Sequence, residues 1–232
     1  MVECRTPGAI TVSIRHRESG QARSFRIDAV SDLLPLFPLD LVLFPGMALP
    51  LHIFEPRYKE MIGECLDHDS PFGIVRAIEN GIAQIGCSAE VVTVVKKYDD
   101  GRMDIVSRGL QRFEVLELNQ DRSFIQATVK FLPEQADADS SSKKKAFDLH
   151  LSLLLMAASG QAVPALDPPD EFLSFYLISQ LPVDLDFKQT ILAMPSESQR
   201  LSTLIEYYEA ILPKLEKTIH AKKKSSSNGH VM

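Results

Sequence analysis

The sequence predicts an α+β protein: a β-rich first part with one inserted helix, followed by a bundle of helices. Three observations predict it. Turn chemistry punctuates short apolar stretches between Leu33 and Pro133, a strand-period alternation closes that region, and helix-period stripes take over after the polar run from Ser140 to Lys145. With 232 residues, 45% of them hydrophobic and 24% charged, the chain holds enough apolar material for one large or two small domains.

Residues 1–30 read as a variable, loose extension. Arg5, Arg15, Arg17, Arg23 and Arg26 recur there, but Glu3 and Glu18 interrupt them, and import into an organelle is the minority reading. Residues 31–136 form the β-rich subdomain. Its inserted helix begins at Pro56, whose missing N–H suits a first helical position, and Tyr58, Met61, Ile62 and Cys65 follow as one apolar stripe. Asn80-Gly81 predicts a type I′ turn between Phe72–Ile78 and Ile82–Ile85, and Asp99-Asp100-Gly101 predicts the next hairpin. Val91 to Val95 is apolar on both faces, which predicts a central strand or a sheet curled until both sides are covered. Ile125, Ala127, Val129 and Phe131 alternate with polar residues, the period of a strand buried on one face.

Residues 137–219 read as helices. Phe147, Leu151, Leu154, Leu155 and Ala158 make a first stripe, and Asp167 and Pro168 supply a cap and first position for a second helix. A third runs from Asp184 to Met194. The last opens on Ser196-Glu197-Ser198-Gln199, a capping box, and carries Leu201, Leu204, Ile205, Tyr208, Ile211, Leu212 and Leu215 on one face, with a kink expected at Pro213. Residues 220–232 combine lysines and serines without apolar anchors and read as a disordered tail.

Composition narrows the chemistry. A formal net charge of −6 does not suggest a surface built for nucleic-acid phosphates. Cys4, Cys65 and Cys87 form no C-x-x-C pair, and their odd number argues against a disulfide framework and for a reducing, cytoplasmic setting. The apolar stretch from Leu33 to Phe54 is broken by four prolines and Asp40, so no membrane span is expected. Neither a phosphate-cradling glycine loop nor G-x-S-x-G nor H-E-x-x-H occurs, so no enzyme activity, catalytic residue, cofactor or metal is expected. His52, among apolar neighbours, reads as a residue that fixes local backbone through a hydrogen bond.

The run LPLFPLDLVLFPGMALPLHIFEPRY, Leu34 to Tyr58, closely resembles the opening of the Lon protease N-terminal, substrate-binding domain. Ile85-Gly86-Cys87, the segment holding Arg108, Gly109, Arg112 and Phe113, and the helical QLPVDLDFKQTILAMPSESQRLSTLI agree with that family in the same order, so the resemblance covers roughly residues 33 to 217. It implies a small distorted β barrel of the PUA-like kind followed by a helical bundle. In the full protease this domain precedes a AAA+ ATPase and a serine-lysine peptidase, neither of which is encoded here, so a stand-alone, non-catalytic protein-binding module is expected. Its implied partners are unfolded or degron-like polypeptides and a protease or chaperone it serves as adaptor, with weak homo-oligomerisation as a further expectation. The candidate contact residues are Phe44, Met47, Phe54, Arg57, Tyr58, Arg108 and Arg112, around a loop where Gly46 permits an unusual turn. Phe44, Phe54 and Tyr58 serve equally well as core. The alternatives are RNA binding by a PUA-like barrel, which 7% aromatic content without tryptophan disfavours, and an unrecognised hydrolase.

Overall fold

The computed structural model describes residues 10–11, 26–27, 30–158, 162, 166–169 and 171–227. The chain divides into two compact units, Met1–Pro133 and Glu134–Met232.

In the first unit, β1 (Ile10–Thr11) and β2 (Arg26–Ile27) pair antiparallel, so part of the extension expected to be loose is strand. The other residues before Val30 lie outside the described ones, and with them the organelle-import reading. The main sheet is built from β3 (Val30–Leu39), β4 (Ala48–Ile53), β5 (Phe72–Ile78), β6 (Gly81–Ile82), β7 (Ile85–Lys97), β8 (Met103–Asn119) and β9 (Gln126–Phe131), with α1 (Pro56–His68) inserted after β4. Strand order is β3-β9-β8-β7-β5-β6, and a parallel pairing of β3 with β5 closes the first five strands into a barrel. β8 is long because, while pairing with β7, it also serves two further strands: Met103–Arg108 pairs with β4, and Phe113–Asn119 with β9. Bulges in β7 and β8 supply the bending that such a closed sheet needs.

Two apolar clusters fill this unit. Leu34, Leu36, Val75, Phe113, Ala127, Val129 and Phe131 pack together, and the alternation anticipated for β9 supplies three of them. The second cluster seats α1 through Tyr58, Met61, Ile62 and Cys65, the stripe read from its helical spacing, against Phe72, Ile74, Met103 and Ile105. Cys65 and Cys87 are buried free thiols, and burial pushes the Cys65 thiol up to about 11.

Two strand-level expectations need correction. The β5–β6 hairpin pairs Ile78 with Gly81, so the turn residues are Glu79 and Asn80, one position earlier than a type I′ turn at Asn80-Gly81. Asn80 keeps a negative φ, and Gly81 at φ 146 takes up the glycine-only conformation inside the ladder. The larger correction is at β7. Residues from Val92 to Lys97 are exposed rather than central. Apolar residues on both faces indicate burial only where neighbouring layers exist, and here β7 and β8 run on together as a ribbon. That ribbon ends in the expected turn, with Gly101 at φ 80 and its N–H donating to the Tyr98 carbonyl at 2.9 Å.

The second unit contains α2 (Ser140–Ala157), α3 (Leu173–Ser179), α4 (Leu185–Ala193) and α5 (Glu197–Ser227). Asp139 and Asp184 cap α2 and α4 by accepting the Ser142 and Phe187 N–H groups, both at 2.8 Å. Ser196 accepts the Gln199 N–H at 3.1 Å, one half of the anticipated capping box, and donates to Asp137. The face α2 buries is Ala146 and His150, while Leu155 of the expected stripe is exposed. His150 Nδ1 and the Tyr208 hydroxyl lie 2.9 Å apart, which gives the buried imidazole a polar partner on α5. Asp167 and Pro168 do not start a helix; α3 starts at Leu173, where Leu173, Phe175, Leu177 and Ile178 supply the buried surface. Successive prolines at 168 and 169 hold the preceding residues extended. α5 continues through Pro213 to Ser227, so the tail read as disordered is helical that far, propagation costing little once a long helix is nucleated. Asn228 to Met232 lie outside the described residues. Arg200, fully buried, donates to Glu197, Glu134, the Ser174 hydroxyl and the Met194 carbonyl, stapling α3 and the end of α4 to α5. Among the described residues no helix is long and apolar enough to cross a membrane.

Candidate functional site

The first loop and β8 are tied together by backbone alone. The Gly46 N–H donates to the Gly109 carbonyl and the Gly109 N–H to the Met47 carbonyl, each at 2.9 Å. Gly46 sits at φ 79, and a Cβ on Gly109 would lie 2.3 Å from the Phe44 oxygen, so both positions need glycine. This clasp sets the register of β4 on β8: Ala48 opposite Arg108, Pro50 opposite Val106, His52 opposite Asp104.

Side chains alternate along strands, so these pairs share one face. On β4, Leu49, Leu51 and Ile53 turn to the core while Ala48, Pro50 and His52 are exposed, as is Phe54 just beyond the strand. On β8, Met103, Ile105 and Ser107 are buried, which leaves Asp104, Val106 and Arg108 on the outer side. β7 extends this side with Thr93 opposite Val106 and Lys96 opposite Asp104; Val92 and Val95 are the extra residues of its two bulges. Phe54, Val92 and Val95 are 58%, 50% and 65% exposed. The centre of the face is thus apolar and lies on hydrogen-bonded strands.

Its polar groups satisfy one another. His52 Nδ1 lies 2.5 Å from Asp104 Oδ1, and the Tyr98 hydroxyl donates to Asp104 Oδ2 at 2.8 Å. Those bonds, from His52 first and Tyr98 second, hold the Asp104 carboxyl below the usual carboxylate range. The His52 ring also stacks on Phe54, with centroids 5.9 Å apart. His52 therefore fixes its surroundings through a side-chain carboxylate, not through backbone. At the other end Arg108 pairs with Glu90 across the β7–β8 ladder. Among the described residues no group of three or more His, Cys, Asp and Glu is placed to hold a metal ion.

The residues singled out from sequence divide cleanly. Phe54 and Arg57 are exposed, Arg57 bound to Glu55 at 2.9 Å, and Met47 is partly buried against the core. Arg108 lies on the outer face, its guanidinium engaged by Glu90. Phe44, Tyr58 and Arg112 are buried and cannot be reached by a partner in this structure. Tyr58 stacks on Phe37 at 4.0 Å, burial pushing its hydroxyl above the ordinary tyrosine value, and Arg112 donates to the Pro133 carbonyl at 3.3 Å. Pro50, Val106, Val92 and Val95 were missed. The available signal was the alternation Ala48, Pro50, His52, Phe54, read as a motif rather than as one side of a strand.

The model of the ATP-dependent protease La (LON) substrate-binding domain matches residues 33–209. Among curated proteins, the Lon protease of Paraburkholderia phytofirmans is 26% identical over 81% of this chain and 25% of its own length. The Lon protease of Parabacteroides distasonis is 30% identical over 49% of this chain and 15% of its own. The chain thus spans a quarter or less of these relatives. Among solved structures, a Lon N-terminal domain protein from Xanthomonas campestris superposes with a TM-score of 0.62 at 25% identity, covering 76% of this chain and 99% of that one. The N-terminal domain of the Mycobacterium avium complex Lon protease, at 18% identity and a TM-score of 0.56, shares the fold, covering 77% of this chain and 98% of its own. A match over residues 33–209, well over half of the chain, carried by the same fold, settles the relationship: the chain belongs to the Lon substrate-binding domain family.

Proposed function

We propose that this chain recognises unfolded or degron-like polypeptide segments through the outer face of β4, β8 and β7, without catalysis of its own, and presents them to a protease or chaperone. The observation that carries the reading is the apolar surface of exposed Pro50, Phe54, Val92 and Val95 and half-buried Val106, on a sheet where Asp104 and Arg108 are already paired. Such a surface favours apolar side chains. Two buried free thiols suit a reducing, cytoplasmic setting.

The energetics set the affinity. Each apolar anchor returns about 1.5 to 3 kcal/mol, against a cost of ~1 to 2 kcal/mol per backbone residue that becomes ordered. A single face with two or three anchors binds at micromolar concentrations or weaker. The test is titration of a reduced, carboxymethylated unfolded protein against the chain and against the variants Phe54→Ala and Val106→Asp, with circular dichroism confirming their fold. Each variant is expected to weaken binding by about tenfold or more. Unchanged binding in both folded variants would remove this face from the function.

A further inference from the structure

The outer face has two free borders, and they differ. β4 pairs with β8 on one side, and Pro50 in its middle lacks the N–H a further strand would need. β7 is open in another way. Its first part pairs with β5 through Cys87, Ser88 and Ala89, but among the described residues the stretch from Glu90 to Lys97 has a strand only on the β8 side. Val92, Val94 and Val95 are 50%, 38% and 65% exposed along it, and no proline interrupts it. An unpaired edge with β-branched residues offers both main-chain hydrogen bonds and side-chain contact to an incoming strand.

Charge along this edge is uneven. Glu90 at one end is taken by Arg108, whereas Lys96 and Lys97 at the other end are exposed, and Lys97 has no ion-pair partner among the described residues. A second copy of the chain would bring the same two lysines to the same edge. A segment that carries carboxylates meets them with opposite charge. Bulges between Val91 and Thr93 and between Val94 and Lys96 bend the edge and restrict pairing to a short stretch. That limits the affinity of any one segment and opposes the indefinite stacking an unbroken edge would invite.

We propose that β7, from Val92 to Lys97, accepts an extended polypeptide segment of β-branched residues flanked by carboxylates as an added strand, so that recognition uses the backbone of the substrate as well as its side chains. This rests on the polypeptide-binding reading above and specifies how the segment lies. The probe is a capped, fluorescent peptide, Glu-Val-Thr-Val-Thr-Val-Glu, with two isomers N-methylated at alternate amides, one set at the odd and one at the even positions. Only one set of amides in a strand faces its neighbour, so one isomer should lose about tenfold or more in affinity and the other should bind like the parent. Lys97→Glu, an exposed change checked for fold by circular dichroism, should weaken the acidic peptide and strengthen its lysine-flanked counterpart. Equal behaviour of the two isomers overturns the added strand; if the unmodified peptide still binds and Phe54→Ala weakens it, polypeptide binding by the face survives without it. Absence of parent binding, or dimers in sedimentation that the peptide does not dissociate, also overturns the proposal.

Discussion

Gly109 lies so close to the first loop that a Cβ there would meet the Phe44 oxygen at 2.3 Å and the Cys87 sulfur at 3.2 Å. Replacing it by alanine forces either β8 or the loop to move. Gly109→Ala is therefore expected to cost about 1 to 3 kcal/mol in urea unfolding, with the largest amide shifts at Gly46 and Met47. The sequence marked Gly109 as part of an R-G-x-x-R-F segment but could not give its reason, because the approaching carbonyl comes from more than sixty residues earlier. The same blindness to depth affects its neighbours. Arg108 and Arg112 lie four apart and look alike in sequence, yet one reaches the outer face and the other is wholly buried with its guanidinium on the Pro133 carbonyl.

Whether an element could be read from sequence depended on whether its own residues decide its burial. α1 was legible, since a helix with one apolar stripe has one way to pack, and β9 for the corresponding reason at period two. β7 was not. Its valines read as interior, and only the absence, among the described residues, of a strand beyond Ala89 and the continuation with β8 make them surface. α2 failed differently: the histidine among its leucines is the buried residue, and the leucine stripe is partly exposed. Burial holds the His150 imidazole below its ordinary pKa, so the folded state binds its proton less readily than the unfolded chain. Stability is then complete above the ordinary imidazole value near ~6.5 and falls as pH drops through that value toward the depressed one. Urea midpoints for the helical unit, followed by NMR signals of α2 and α5, should decline between neutral and mildly acidic pH. The decline should shrink in His150→Gln.

For the molecule as a whole, the weak contact proposed for a single face would make multiplicity decisive. Fusing the chain to a coiled coil that joins several copies should raise apparent affinity for an unfolded protein by roughly 10² to 10⁴ without altering the face, readable by surface plasmon resonance at matched protomer concentration. An unchanged value would mean that one copy already supplies all the contacts. Architecture at this scale was legible as β-rich followed by helical, and the barrel was implied by the family resemblance, whereas the pairings that close it, β3 with both β5 and β9, were not readable from the residues. That closure bears on how the protein is made. Leu34 finds its partner Ala127 only after roughly ninety further residues have been added, which at ribosomal rates of about 5 to 20 residues per second takes some five to twenty seconds. Throughout that interval the nascent β3 displays Leu34 and Leu36 with one border unmatched, so the barrel unit spends much of its own synthesis as an incomplete sheet.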